Sequence, residues 1–191
     1  MSKGRLEAFS DGVIAIIITI MVLELRPPHG TAIEDLLPLG PIFLSYILSF
    51  ALLGTYWSNH HHVLQVAKTV DGRVLWANLH LLFWLSIFPF ATAWMGENSF
   101  APIPVAAYGA LMLFAAIAYY GLIRALMAAP GQPSALAVAV GRDVKGKISP
   151  VLFAIAIPIA LVAPAISMAV YTGVVLLWIV PDPRMERVIK S

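Results

Sequence analysis

The chain has 191 residues, of which 60% are apolar and 12% charged, with a mean hydropathy of +0.87 and a formal charge of +2 at pH 7. Apolar stretches with the few charges gathered between them mark an integral membrane protein, which leaves no place for a nucleic-acid-binding module or a soluble domain. The absence of cysteine excludes disulfides and thiolate metal sites.

The pattern predicts an all-α membrane protein with six transmembrane helices in a single domain, 1–191. Helix one covers about 5–25 and ends before Pro27-Pro28, which cannot continue it. Lys3 and Arg5 ahead of an apolar run suggest a signal peptide, but Glu7 and Asp11 break that pattern. No small-residue cleavage site follows Leu25, so the segment reads as a retained helix. Helix two covers about 39–66. Helix three, about 73–95, enters from the turn-like Asp71-Gly72. Helix four, about 103–128, stops at Pro130-Gly131, and residues 130–147 read as a linker. The span 148–181 reads either as one broken helix or as two short ones, about 148–163 and 165–181, linked near Pro164. Two tilted helices fit better, with Pro158 kinking the first.

Charge placement supports six spans. With the N-terminus inside, the inside segments hold Lys3, Arg5, Lys68, Arg73, Arg124, Arg142, Lys145, Lys147, Arg184, Arg187 and Lys190. Only Arg26, of the 12 basic residues, falls outside, beside Glu34, Asp35 and Glu97. That asymmetry places both termini in the cytoplasm.

Helix one carries the residues of interest. Ile16, Thr19, Ile20 and Leu23 fall at i, i+3, i+4 and i+7, a single face that Gly12 and Phe9 extend. Such a face either packs against neighbouring helices or lines a narrow pore of the kind that gates by dewetting. Ser10 and Asp11 sit near its cytoplasmic end, where a carboxylate needs partners. Arg5, Asn78 and His80 are the candidates. They make either a network that holds the helix or a charged, proton-handling vestibule.

The triplet His60-His61-His62 invites a metal reading, but adjacent residues on a helix point in different directions, and no second cluster completes a shell. No metal or cofactor is expected. No Thr-Val-Gly-Tyr-Gly filter, phosphate-binding loop or Gly-x-Ser-x-Gly elbow occurs, nor any internal repeat, so enzyme chemistry has no foothold.

At Arg5, Phe9-Ser10-Asp11, Ile16 and Thr19 the chain resembles the transmembrane protein 175 family of potassium channels. Trp57-x-x-His60, Trp76-x-Asn78-Leu79 and Pro89-Phe90 extend the resemblance over residues 5–95. It departs from the family at Val63-Leu64 and Ala91. The resemblance implies a cation channel without a P-loop, six helices per subunit, with helix one lining the central pore of a homotetramer. Ile16 would then be the apolar constriction and Thr19, Ile20 and Leu23 further layers. Arg5, Phe9, Ser10, Asp11, Trp57, His60 and Asn78 would form a structural network at the cytoplasmic side. The expected function is a potassium-permeable channel in a bacterial inner membrane, with K⁺ as the permeant ion and lipids and further copies of the chain as partners. The alternative is a proton pathway using Asp11 and a histidine.

Overall fold

A computed structural model describes residues 2–132 and 144–180; Arg142, Arg184, Arg187, Lys190 and most of the expected linker lie outside the described residues. No strand occurs among those residues. The helices are α1 (Lys3–Ile20), continued by a 3-10 turn (Met21–Glu24), and α2 (Gly40–Val66), preceded by another (Ile33–Leu39). There follow α3 (Gly72–Ser86), α4 (Phe88–Glu97), α5 (Pro102–Ala128), α6 (Val144–Ala160) and α7 (Pro164–Ile179). Grouped as membrane segments they make six. Lys3–Glu24, Ile33–Val66, Gly72–Glu97 and Pro102–Ala128 are long and apolar enough to cross a bilayer. The last two, of 17 and 16 residues, are about 25 Å long at 1.5 Å per residue, somewhat under a ~30 Å hydrocarbon core.

Two boundaries differ from expectation, and a third follows it. The third segment is not one helix over 73–95 but two, broken at Ile87. Pro89 offers no N–H and its ring would collide with the carbonyl four residues back, so the ladder stops and restarts with the proline in the first turn of α4. The expected linker 130–147 is helical from Val144, because α6 starts four residues earlier than 148. The 148–181 region resolves into two helices, with Pro164 in the first turn of α7, where its missing N–H costs nothing. Asp71 caps α3 by accepting from the Val74 N–H at 3.0 Å, which fixes the entry that Asp71-Gly72 foreshadowed.

Because consecutive segments alternate in direction, the N-terminus of α1 and the C-terminus of α2 share one end with the start of α6 and the end of α7. Lysines close that end. The Lys3 ammonium donates to the Gln65 and Ala67 carbonyls (3.2 and 3.0 Å) and the Lys145 ammonium to those of Leu177 and Val180 (3.0 and 2.9 Å). Both satisfy carbonyls orphaned at a helix C-terminus, where a cation is favoured. Membrane helices pack through close backbone approach, since lipid offers no hydrophobic drive. Gly96 provides one such point. A Cβ there would lie 2.9 Å from the Ile42 Cα and against Ser45 Oγ, so α4 meets α2 nearly backbone to backbone. Gly109 provides another, where a Cβ would collide with the Tyr171 hydroxyl.

Candidate functional site

Helix α1 has two opposite faces. Leu6, Ser10, Ile14, Ile17 and Met21 are buried against α2, α3 and α4, with Ile14 fully buried and Ile17 4% exposed. Arg5, Phe9, Gly12, Ile16, Thr19, Ile20 and Leu23 are exposed, with Ile16 at 57% and Leu23 at 73%. The stripe anticipated from the spacing therefore packs against nothing within the subunit. Isolated exposed apolar residues are ordinary, but here they form one continuous line on one helix face. Thr19 Oγ1 lies 3.0 Å from both the Ala15 and Ile16 carbonyls and donates back into its own helix. Its proton is thereby occupied, and its oxygen lone pairs remain on the outward face.

Behind the stripe lies a chain of buried polar groups. Ser10 Oγ donates to the Leu6 carbonyl (2.8 Å) and accepts from Asn78 Nδ2 (2.9 Å); Asn78 Oδ1 in turn meets His60 Nε2 at 2.7 Å. The donor order fixes the protons. Since Asn78 spends its amide N–H on Ser10, its carbonyl oxygen can only accept, so His60 carries its proton on Nε2. His60 Nδ1 is then a bare lone pair with no partner among the described residues. Ser10, His60 and Asn78 are all buried, and a hydrogen-bonded chain of this kind fixes the register of α1 against α2 and α3.

Asp11 belongs to a second set. Its Oδ1 accepts from Trp57 Nε1 at 3.0 Å, not from Arg5, Asn78 or His80. His80 instead accepts from Trp84 Nε1 at 2.9 Å. Arg5 and Phe9 stand on the outward face with the stripe, and the Arg5 side chain makes no hydrogen bond or ion pair among the described residues. Of the seven residues expected to form a network, the fold thus joins Ser10, His60 and Asn78 in one set and Asp11 and Trp57 in another. Sequence reasoning overlooked the pair beside them: His61 Nδ1 lies 3.4 Å from Glu7 Oε1. The four-residue spacing of Glu7 and Asp11 on α1, and of Trp57 and His61 on α2, was the available signal.

Further along α1, Met21 is held from the same side. Thr92 Oγ1 lies 3.8 Å from Met21 Sδ and 2.7 Å from Ser49 Oγ, and Ser49 reaches the Tyr108 hydroxyl at 2.9 Å. The inward face is thus pinned by the polar chain at Ser10, packed by isoleucines beyond it, and met at Met21 by the Thr92 hydroxyl, whose proton goes to the Phe88 carbonyl at 2.7 Å.

These features define a multi-pass helical membrane protein whose first helix is anchored on one side and presents an uncovered apolar stripe on the other. A family profile described as "Endosomal/lysosomal potassium channel TMEM175" matches residues 5–89. A potassium channel of Chryseobacterium sp. is 49% identical over 191 residues, the whole of both chains. A potassium channel of Chamaesiphon minutus is 35% identical over 125 residues, 61% of this chain and 62% of that one. The human endosomal/lysosomal proton channel TMEM175 is 36% identical over 96 residues, 44% of this chain but 19% of its own. The crystal structure of a lysosomal potassium-selective channel TMEM175 homolog from Chamaesiphon minutus is similar with a TM-score of 0.75. It is 27% identical and covers 93% of this chain and 96% of that one. The chain belongs to the TMEM175 family of potassium channels.

Proposed function

We propose that four copies of the chain assemble in a bacterial inner membrane into a potassium-permeable channel with the outward faces of α1 around a central axis. The observation that carries the reading is that Ile16, Thr19, Ile20 and Leu23 are left exposed in the subunit while the opposite face is buried and fastened through Ser10. One helix cannot enclose a pore, so the stripe needs copies of itself to acquire a function. Six spans and the asymmetry of basic residues support both termini lying in the cytoplasm. Lipids cover the remaining apolar surface.

In this arrangement Ile16 forms the apolar constriction. Backbone carbonyls of an intact helix are engaged, and a ring of isoleucines offers no ligands, so the ion passes partly hydrated. Thr19 supplies the one hydroxyl on the stripe, and its outward lone pairs can accept a cation because its proton is tied to the Ala15 and Ile16 carbonyls. Potassium loses its hydration shell more readily than sodium, which favours it wherever a ring thins that shell.

The proton pathway has the name of the human relative in its favour. Its geometry is less favourable. Asp11 is spent on an indole, and the donors running from His60 through Asn78 and Ser10 end on the Leu6 carbonyl without reaching a carboxylate. The deciding measurement is the reversal potential of proteoliposomes holding the purified protein under opposed K⁺ and Na⁺ gradients. A current reversing toward the K⁺ potential upholds the channel; a pH-driven signal without K⁺ current replaces it with the proton pathway.

A further inference from the structure

We propose that Glu7 and His61 are positioning residues that clamp the pore-lining helix to α2 in a proton-dependent way. The clamp is the middle rung of a three-rung ladder. Lys3, Glu7 and Asp11 stand one helical turn apart on α1, and Gln65, His61 and Trp57 stand one turn apart on α2 in the opposite sense. Lys3 Nζ reaches the Gln65 carbonyl at 3.2 Å, Glu7 Oε1 lies 3.4 Å from His61 Nδ1, and Asp11 Oδ1 accepts from Trp57 Nε1 at 3.0 Å. Two antiparallel helices are thus stitched pair by pair at the basic end of the molecule, on the segment that leads into Ile16.

Only the middle rung contains an imidazole, the side chain whose charge changes nearest neutral pH. Neutral, His61 offers the Glu7 carboxylate at best an uncharged Nδ1–H. Protonated, Nδ1–H donates to it in a charge-assisted bond, for which the usual length is about 2.7–2.9 Å, so the 3.4 Å gap has room to close. The Trp57 ring reinforces this. It is stacked on His61 with centroids 6.1 Å apart and planes at 24°, so a charged imidazole also gains the face of the indole.

The other titratable and charged groups near the ring are Asp11 behind Trp57, Lys3 one turn away, the buried His60, and His62, whose ring centroid is 6.0 Å off. The pair is partly exposed, so the rung modulates rather than holds the helix, and salt weakens it.

The link from clamp to current rests on the pore role of α1 proposed above; the clamp itself does not. Two readouts keep these apart. Amide exchange over residues 3–12, corrected for intrinsic rates, is measured at pH 6 and pH 7.5 in the reconstituted wild type, His61→Gln and Glu7→Gln. The wild type is expected to be about two- to fivefold better protected at pH 6, and both variants to show a ratio of one. K⁺ current is read across the same pH window on the side bearing His61, and its pH dependence should vanish in His61→Gln with the reversal potential unchanged. A wild-type protection ratio of one, or a ratio that survives in both variants, overturns the clamp. Protection that follows pH as expected while K⁺ current is absent or pH-independent upholds the clamp and overturns its coupling to a pore.

Discussion

The two faces of α1 are built from nearly the same residues and meet different fates. Ile14 and Ile17 are buried, whereas Ile16 and Ile20, two and three positions on, are exposed. Hydrophobicity does not separate them. What does is the polar pinning of one face, Ser10 on Asn78, with Met21 packed against Thr92 farther along it. These contacts fix the rotation of the helix about its axis, and rotation decides which isoleucines become packing and which become surface. An apolar helix in a bilayer has little other reason to prefer one rotation, because lipid receives isoleucine as well as protein does.

The same substitution placed on the two faces is the sharpest way to break this comparison. Ile14→Asn buries an amide with no partner and is expected to cost about 2–7 kcal/mol, enough to prevent assembly, seen as loss of the monodisperse peak after detergent extraction. Ile16→Asn should assemble normally, loosen K⁺/Na⁺ discrimination and raise conductance. Unchanged reversal potentials would remove Ile16 from the constriction.

Asn78→Ala comes next. It strands His60 Nε2 in a buried site and removes the donor to Ser10 Oγ, which keeps its bond to the Leu6 carbonyl, at a cost of about 1–3 kcal/mol. The expected outcome is a lower melting temperature in detergent with ion preference retained. If selectivity fell with no loss of stability, the polar chain would belong to the pore and not to its support.

The smallest effect belongs to Thr19→Val, which keeps the shape of the stripe and removes its one hydroxyl. The lost bond runs from an exposed side chain to its own helix, so the melting temperature should hardly move. K⁺ conductance should fall by less than about tenfold, or roughly 1.4 kcal/mol in barrier. An equal conductance in single-channel records would assign Thr19 to packing between copies.

How much of this was legible in the sequence depends on whether the deciding interaction is local. The six segments were, because apolar length is a property of consecutive residues, and so were the stops at Pro27, Pro130 and Pro164. Pro89 was as visible as these, yet the break at Ile87 was overlooked, since apolar character runs through it without interruption. The stripe of Ile16, Thr19, Ile20 and Leu23 was legible as a face but not as an exposed one. Ser10, Asp11, Trp57, His60 and Asn78 were legible as candidates, but their pairing was not. Asp11 could reach for Arg5, Asn78 or His80 in the sequence, and the fold gave it to Trp57.

By itself, then, the sequence determined the class of environment, the number of spans and the periodicity of helix one. Each follows from hydropathy and the fixed rise and turn of an α-helix, which act over neighbouring residues. The tertiary structure decided the rotation of α1, the partners of its polar groups and the ladder that sets Lys3, Glu7 and Asp11 against Gln65, His61 and Trp57. Those depend on how far one helix slides and turns against another. In a membrane, where burial is nearly neutral, a few hydrogen bonds and close backbone approaches set that choice.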